Sequence, residues 1–260
     1  MSSPRQLKVH ALSIADELGY MGQQAVSEAV ADGCDYLIVG GHMVRLMLSL
    51  YPTPRATLRS TLDADAAIDD VEVAGSIAEN LIGLDFTKQR GNVFVRQHDA
   101  GQWIEINLLL PRSGHGSGLR PLTVGGVGRV DSLPELRFAL GCDALELEIE
   151  AVLMDGRTIE YQTRIPDLEA AIVLKAHAWK DRCSEKDLAD LHSLFEIRDE
   201  HPHTPWLLDD TAWMAGFRKD TARILLGLRD RLAKKNPGVP VPGHLDKLRM
   251  AGLINKHVCR

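Results

Sequence analysis

Residues 37–68 read LIVGGHMVRLMLSLYPTPRATLRSTLDADAAI, and this stretch decides the fold. A short apolar run ends in Gly40 and Gly41, and hydrophobic residues at helical spacing follow until Pro52. A second run, from Leu62 to Ile68, then carries two aspartates two positions apart. The pattern predicts a buried strand, a helix and a further strand in immediate succession.

The two aspartates of the second strand indicate a cation site. Alternate residues of a strand project from one face, so Asp63 and Asp65 point the same way. Two neighbouring carboxylates repel each other unless a cation lies between them, and hard oxygen ligands suit Mg²⁺. Enzymes that transfer phosphoryl groups with the help of two metal ions use such a pair to hold the ions that bind a triphosphate. Taken alone, however, Asp-x-Asp is more often part of a solvated turn or an edge strand than of a metal site.

The glycine pair supplies the second half of this pattern. Gly40 and Gly41 allow backbone N–H groups to approach a triphosphate, and the helix N-terminus behind them favours its negative charge. A glycine pair by itself usually marks only a turn. The combination of glycines, helix and paired aspartates in this order therefore carries the interpretation.

The rest of the chain predicts strands followed by helices. Residues 93–110 and 144–165 each alternate apolar and polar positions about a turn, as a hairpin does. Helical spacing dominates after Pro166. We therefore predict the α/β class, with a small mixed β-sheet core flanked by helices and then a helical C-terminal half. The corresponding domains span residues 1–165 and 166–260.

Composition sets limits on the class of protein. The chain has 260 residues, a net charge of −6 and four scattered cysteines, which favour a reduced, cytoplasmic protein without disulfides. No apolar run is long enough to predict a membrane span or a signal peptide. Residues 211–260 hold 11 Lys and Arg against 3 Asp and Glu, which suits the phosphates of a polynucleotide or, equally, a solvated helix face.

Two blocks of sequence resemble a known family. The first block consists of Gly40-Gly41, a helix and Arg59-x-Thr61-x-Asp63-x-Asp65. It resembles the nucleotidyltransferase superfamily of DNA polymerase β. More narrowly, it resembles the AbiEii-type toxins of bacterial toxin–antitoxin systems, including the MenT group. The second block runs from Leu174-Lys175 through Trp179 and Arg182 to Lys186-Asp187-Leu-Ala-Asp190-Leu191. The resemblance covers residues 37–70 and 170–195. The chain departs from the family at His42, where a small Ser or Thr is common.

The resemblance implies a Mg²⁺-dependent (or Mn²⁺-dependent) enzyme that moves a nucleoside monophosphate from an NTP to an acceptor. It implies metal ligation by Asp63 and Asp65 with a third carboxylate, for which Glu105 is the candidate and Asn107 the weaker substitute. Glu105 could equally be an exposed strand residue and Lys175 a surface lysine. The predicted catalytic residues are Asp63, Asp65, Glu105, Lys175 and Asp187, and the predicted nucleotide-binding residues are Gly40, Gly41, Thr61 and Lys175.

Three residues of the two blocks are predicted to have supporting roles. Asp190 is expected to fix helix packing, while Asp187 is the expected active-site member of the pair. Arg59 is expected to pair with an aspartate or a phosphate, and Arg182 is expected to support the helical block; a structural ion pair is the alternative for either arginine.

The acceptor is left open by the sequence. The resemblance and the basic segment 211–260 favour tRNA or another RNA, and they imply a cognate antitoxin as partner. A small molecule or a protein hydroxyl is the second hypothesis, because the acidic remainder of the chain suits a cationic ligand. A catalytically silent protein that binds nucleotide or a partner is the third.

Overall fold

The computed structural model describes residues 3–30, 34–99, 101–113, 118–125 and 127–259. Helices and strands alternate in the first half, and helices follow. Their bounds are β1 (Arg5–His10), α1 (Ile14–Ala29), β2 (Tyr36–Ile38), α2 (Gly40–Leu50), β3 (Ala64–Ile68), α3 (Val71–Gly83), β4 (Thr87–Arg90), β5 (Val93–Asp99), β6 (Gln102–Pro111), β7 (Arg120–Val124), β8 (Gly128–Leu133), α4 (Leu136–Leu140), β9 (Leu145–Val152), β10 (Thr158–Ile165), α5 (Leu168–Arg182), α6 (Glu185–Glu200), α7 (Gly216–Leu232) and α8 (Lys247–His257).

The larger sheet holds the region of the paired aspartates. Its strands run in the order β2-β3-β6-β5-β4, and β8 joins the far end of β6 and pairs with β7. The strands β3 and β6 are parallel, with Asp65 opposite Asn107, whereas β2 is antiparallel to β3. The sheet is therefore mixed, and the predicted α/β class is confirmed.

Strand β6 shows how this sheet separates a core face from an open face. Ile104, Ile106 and Leu108 are at most 1% exposed. The alternate residues of the strand, which include Glu105 and Asn107, keep accessible surface. Because side chains alternate along a strand, the polar residues lie together on the open face of the sheet.

Side chains cap several helices where the sequence provides hydrogen-bond acceptors. Asp167 accepts from the backbone of Ala170 at the start of α5, and Ser184 accepts from Lys186 at the start of α6. Such caps satisfy backbone N–H groups that have no partner within the helix.

A smaller sheet, in the order β1-β9-β10, contains the strand β1, which has no strand pattern in the sequence. β1 has the sequence RQLKVH, in which Val9 is the one buried residue, so it lacks an apolar run. It forms because its backbone pairs in parallel with β9, and a pairing partner more than 130 residues away leaves little trace in a local pattern. The short strands β4, β7 and β8 were also not predicted.

Two further predictions concern the organisation of the chain. The glycine-rich stretch 113–118, predicted to be a loop, lies mostly outside the described residues. The domain boundary at residue 165 falls between β10 and α5 and stays a prediction. No helix in the described ranges has both the length and the apolar character that crossing a membrane requires.

Candidate functional site

The start of α2 lies directly against Asp65. Gly40 has a φ of +68°, and a Cβ atom built on it would lie 2.1 Å from the Asp65 carboxylate oxygen Oδ2. The backbone N–H of Val39 also donates to the Asp65 carbonyl oxygen at 2.9 Å. Only glycine suits this position, because an L side chain would be strained by the positive φ and would displace the carboxylate. The predicted contact between the glycine pair and the acidic strand is thus present.

Replacing Gly40 with Ala is expected to disturb both stability and the position of Asp65. The positive φ alone predicts a loss of about 1–2 kcal/mol in the free energy of unfolding, and the 2.1 Å approach forces the carboxylate to move. Gly227→Ala in α7 is the matched control, because its Cβ would meet nothing within 4 Å. Urea unfolding should show destabilisation for Gly40→Ala and no loss for Gly227→Ala; equal stabilities would contradict the described geometry.

Hydrogen bonds orient the two aspartates on the open face of the sheet. The Thr61 hydroxyl donates to Asp63 Oδ1 at 3.2 Å, and the Asn107 amide donates to Asp65 Oδ1 at 3.1 Å. Gly41 packs on Thr61, since a Cβ there would lie 2.7 Å from the threonine hydroxyl oxygen. Thr61 therefore holds Asp63 and lies against the glycine pair.

The Asp63–Asp65 pair is electrostatically strained without a cation. Desolvation by the surrounding protein, followed by repulsion from Asp63, raises the pKa of Asp65 from 3.8 to about 7. The Asn107 amide and the charges of Lys175 and Arg182 oppose this rise. A divalent cation would relieve the strain, and the donors are carboxylate oxygens of the kind that Mg²⁺ prefers. The residues present therefore fit a divalent metal ion.

The raised pKa has a consequence for stability in the absence of divalent cations. Between about pH 4 and pH 7 the folded protein keeps a proton on Asp65 that the unfolded chain has lost. The folded state therefore binds more protons, and the free energy of unfolding should fall as the pH rises through this window. Asp65→Asn should remove this component of the slope. Urea titrations in EDTA across the window measure it, and identical slopes for both proteins would contradict the assignment.

Lys175 is buried beside the acidic pair and shares the carboxylate of Asp190 with Arg59. Its Nζ lies 2.6 Å from Asp190 Oδ2, and its charge lowers the pKa of Asp65. Arg59 donates to both oxygens of the same Asp190, at 3.2 and 3.0 Å. Asp190 thus connects α6 to α5 and to the segment that leads into β3. The predicted packing role of Asp190 and the predicted pairing of Arg59 with an aspartate match these contacts.

Asp187, the predicted active-site member of the α6 pair, faces a different partner. Both of its oxygens accept from Arg182, at 3.0 and 2.7 Å. The Asp187 carboxylate is buried, whereas the Arg182 side chain is 62% exposed and lines the space in front of Asp65. Asp187 therefore orients Arg182, and its predicted catalytic role stays a prediction.

Glu105 lies on the open face but does not complete a three-acid cluster. The register of β3 and β6 places Asn107 opposite Asp65, and Glu105 lies two residues before Asn107 on the same face of β6. Among the described residues, no three His, Cys, Asp or Glu side chains are close enough to hold a metal together. The structure therefore gives the acidic pair an amide neighbour in Asn107, and metal ligation by Glu105 stays a prediction.

His42, where the sequence departs from the pattern that it resembles, lies in the core of the protein. It is fully buried and packs on α1, where a Cβ on Gly19 would lie 1.9 Å from its Nε2. Burial lowers the pKa of His42 to about 4, so the imidazole is neutral at pH 7. His42 thus fills the core behind the glycine pair, and a partner as distant as Gly19 could not be inferred from the motif.

Two cavities meet at Asp65. One, of about 170 Å³, lies between α2 and α5 and is lined by Gly40, Lys175 and Arg182. The other, of about 770 Å³, lies over the open face of the sheet and is lined by the acidic pair together with Glu105, Asn107 and Arg182. Three further residues line it that were not predicted from the sequence: Arg90, Arg129 and Asp131. These three come from short strands without a strong local pattern.

The basic C-terminal segment is partly neutralised within the fold. Arg218 pairs with Glu169, while Arg249 and Lys256 both pair with Asp199. Surplus charge in a sequence segment is therefore not equivalent to a free basic surface. The predicted contact of residues 211–260 with RNA stays a prediction, and the cations nearest the acidic pair come from other parts of the chain.

Comparison with known proteins gives similarity to solved structures. No protein-family model matches the chain, and no curated protein does so either. Among solved structures, the chain is similar to an antigenic nucleotidyltransferase-like protein from Paracoccidioides brasiliensis. The match has 14% sequence identity and a TM-score of 0.43, and it covers 84% of this chain and 91% of that chain.

Proposed function

We propose that this protein is a divalent-cation-dependent nucleotidyltransferase that moves a nucleoside monophosphate from an NTP to RNA. The observation that carries the proposal is the contact between the Asp63–Asp65 pair and the glycine start of α2, with Lys175 and Arg182 beside it. Paired carboxylates supply cation ligands, and the glycines, Lys175 and Arg182 supply contacts for phosphates. One site thus combines the two requirements of a metal-bound triphosphate substrate.

Asp63 and Asp65 would hold Mg²⁺ or Mn²⁺, which supplies neutralisation of charge on the phosphates. Lys175 and Arg182 line the smaller cavity, where their charges stabilise the departing pyrophosphate. Thr61 and Asn107 keep the two carboxylates in place through their hydrogen bonds.

The bond changes follow from the chemistry of a phosphoanhydride substrate. The acceptor oxygen forms a bond to the α-phosphorus, the bond from that phosphorus to the bridging oxygen of pyrophosphate breaks, and pyrophosphate leaves. Glu105, on the same open face, accepts the proton of the acceptor hydroxyl. Attacking and leaving oxygens must lie roughly in line, so the acceptor approaches from the side opposite Lys175.

RNA as the acceptor rests on the resemblance to the AbiEii-type toxins and on the cations of the larger cavity. Arg90 and Arg129 line that cavity, and within the described part of the chain neither forms an ion pair. Unpaired guanidinium groups suit the phosphates of a polynucleotide. A toxin role, with a cognate antitoxin as partner, is part of the same proposal.

Incubation with α-³²P-labelled NTPs, total cellular RNA and Mg²⁺ tests the proposal. We expect label on RNA with the wild type and none with Asp63→Ala. Label on a small molecule or a protein, and not on RNA, would show that the acceptor belongs to the second class. Absence of label on every acceptor would contradict the enzyme assignment and favour a silent nucleotide-binding protein. Growth arrest on expression of the wild type, but not of Asp63→Ala, would support the toxin role.

A further inference from the structure

An exposed tryptophan lies in line with the acidic residues on the open face of the sheet. Trp103 is 45% exposed, and it shares its face of β6 with Glu105 and Asn107. With a rise of about 3.3 Å per residue, its Cα lies about 7 Å from that of Glu105 and about 13 Å from that of Asn107. Large aromatic side chains contribute much binding energy when a ligand covers them, so an exposed tryptophan beside the candidate site indicates a surface for binding a ligand.

Trp103 borders a recess of about 300 Å³, a volume at the lower end of those typical of ligand sites. Leu62, 40% exposed, and the buried Val95 contribute apolar surface to it. Gln89 and Gln102 also line the recess, and neither side-chain amide has a hydrogen-bond partner in the described ranges. Apolar walls with free amide donors and acceptors suit a flat heterocycle with polar edges.

The position of the recess along β6 indicates that it binds the acceptor and not the NTP. Lys175 and Arg182 line the cavity at the α5 side of Asp65, where the triphosphate is proposed to lie. Glu105 lines both the recess and the larger cavity, so the recess adjoins the proposed proton acceptor. An attacking group that enters from this end lies opposite the leaving pyrophosphate, as in-line transfer requires.

Charge near the recess fits a polynucleotide. Arg90 follows Gln89 directly in β4, and Arg129 lies beside this segment, with its carbonyl oxygen 2.8 Å from where a Cβ on Gly91 would be. Both side chains line the larger cavity next to the recess. A stacking surface flanked by guanidinium groups is the usual arrangement for single-stranded nucleic acid.

We propose that Trp103 and its recess bind the unpaired terminal base of a single-stranded RNA acceptor and so place its hydroxyl group next to Glu105. This inference rests on the proposed function and names a specificity-determining residue for it. Trp103 acts by stacking on the base, while the amides of Gln89 and Gln102 bond to the edge of the base.

Binding of a short 5′-fluorescein-labelled single-stranded RNA, measured by anisotropy with Ca²⁺ in place of Mg²⁺, tests the proposal. Trp103→Ala should weaken RNA binding by about 10-fold or more, the loss expected for one stacked base. Trp103→Phe should restore most of the affinity. Trp213→Ala is the matched control, because Trp213 is 57% exposed in a separate 3₁₀ turn. An RNA whose 3′-terminal residue lacks its base should bind the wild type and Trp103→Ala equally.

The remaining outcomes overturn the proposal. Unchanged RNA affinity in Trp103→Ala, or a loss that persists with the abasic RNA, would show that Trp103 does not stack on the terminal base. Weaker binding of ATP without weaker binding of RNA would assign the recess to the NTP base. No binding of the RNA by the wild type would also contradict it. Failure of the proposed function appears separately, as absence of label transfer by the wild type, whereas RNA affinity requires no catalysis.

Discussion

Replacing Asp65 with Asn is expected to reduce nucleotide transfer by about 10³-fold or more while leaving the protein folded. The substitution keeps the shape of the side chain but removes one of the two charges that attract the cation. Loss of metal-dependent charge stabilisation corresponds to several kcal/mol in the transition state, which is a factor of this size. Folding should not suffer, because the wild-type carboxylate is desolvated and repelled by Asp63.

Asp69→Asn is the matched control for this substitution. Asp69 follows β3 directly and is exposed, so it shares the segment but not the site. Label transfer from α-³²P-NTP and the midpoint of urea unfolding should be measured for both variants. Asp65→Asn with wild-type activity would exclude the acidic pair from catalysis, and unfolding of Asp65→Asn would show that the pair is structural.

The second large effect is expected for stability at Asp190. Asp190→Ala leaves Lys175, whose side chain is 7% exposed, and Arg59, whose side chain is 29% exposed, without their common carboxylate. Removing one member of a buried ion pair costs about 3–5 kcal/mol, because the remaining charge stays desolvated. Much of the stability of a domain of this size would be lost. Calorimetry should therefore show a large fall in the melting temperature.

Asp187→Ala is the comparison for Asp190→Ala on the same helix. Asp187 is also buried, but its partner Arg182 is 62% exposed and can be hydrated once the carboxylate is gone. The expected loss is about 1 kcal/mol, the upper range for a pair with an exposed member. Equal losses for the two variants would contradict the assignment of Asp190 as the connection between α5, α6 and the segment before β3.

The parts of the fold that the sequence predicted are those set by local patterns. The strand, helix and strand of residues 36–68 were predicted because their apolar spacing and glycines act over a few residues. The two hairpins were predicted for the same reason. β1 was not, because its pairing with β9 is a tertiary contact and its own residues are mostly polar.

The candidate site likewise has one part that local sequence predicts and another that depends on tertiary contacts. Asp63 and Asp65 are two positions apart, so strand geometry predicted that they lie together, whereas the contact with the glycine pair was predicted from the order of the motif and its resemblance to a known family. The bond from Asn107 to Asp65 depends on the register between β3 and β6, which the sequence alone does not determine. The shared contacts of Asp190 depend on the packing of α5 and α6 against the segment before β3, and no local spacing encodes them.

Binding of Mn²⁺ together with a non-hydrolysable NTP, followed by electron paramagnetic resonance, tests the central claim most directly. The wild type should show a saturable population of bound Mn²⁺ that increases when the nucleotide is present. Asp65→Asn should lose that population while Asp69→Asn retains it, because Asp65, unlike the exposed Asp69, faces the glycine start of α2. Equal binding of Mn²⁺ and nucleotide by the wild type and Asp65→Asn would contradict the claim that the acidic pair holds a metal-bound triphosphate.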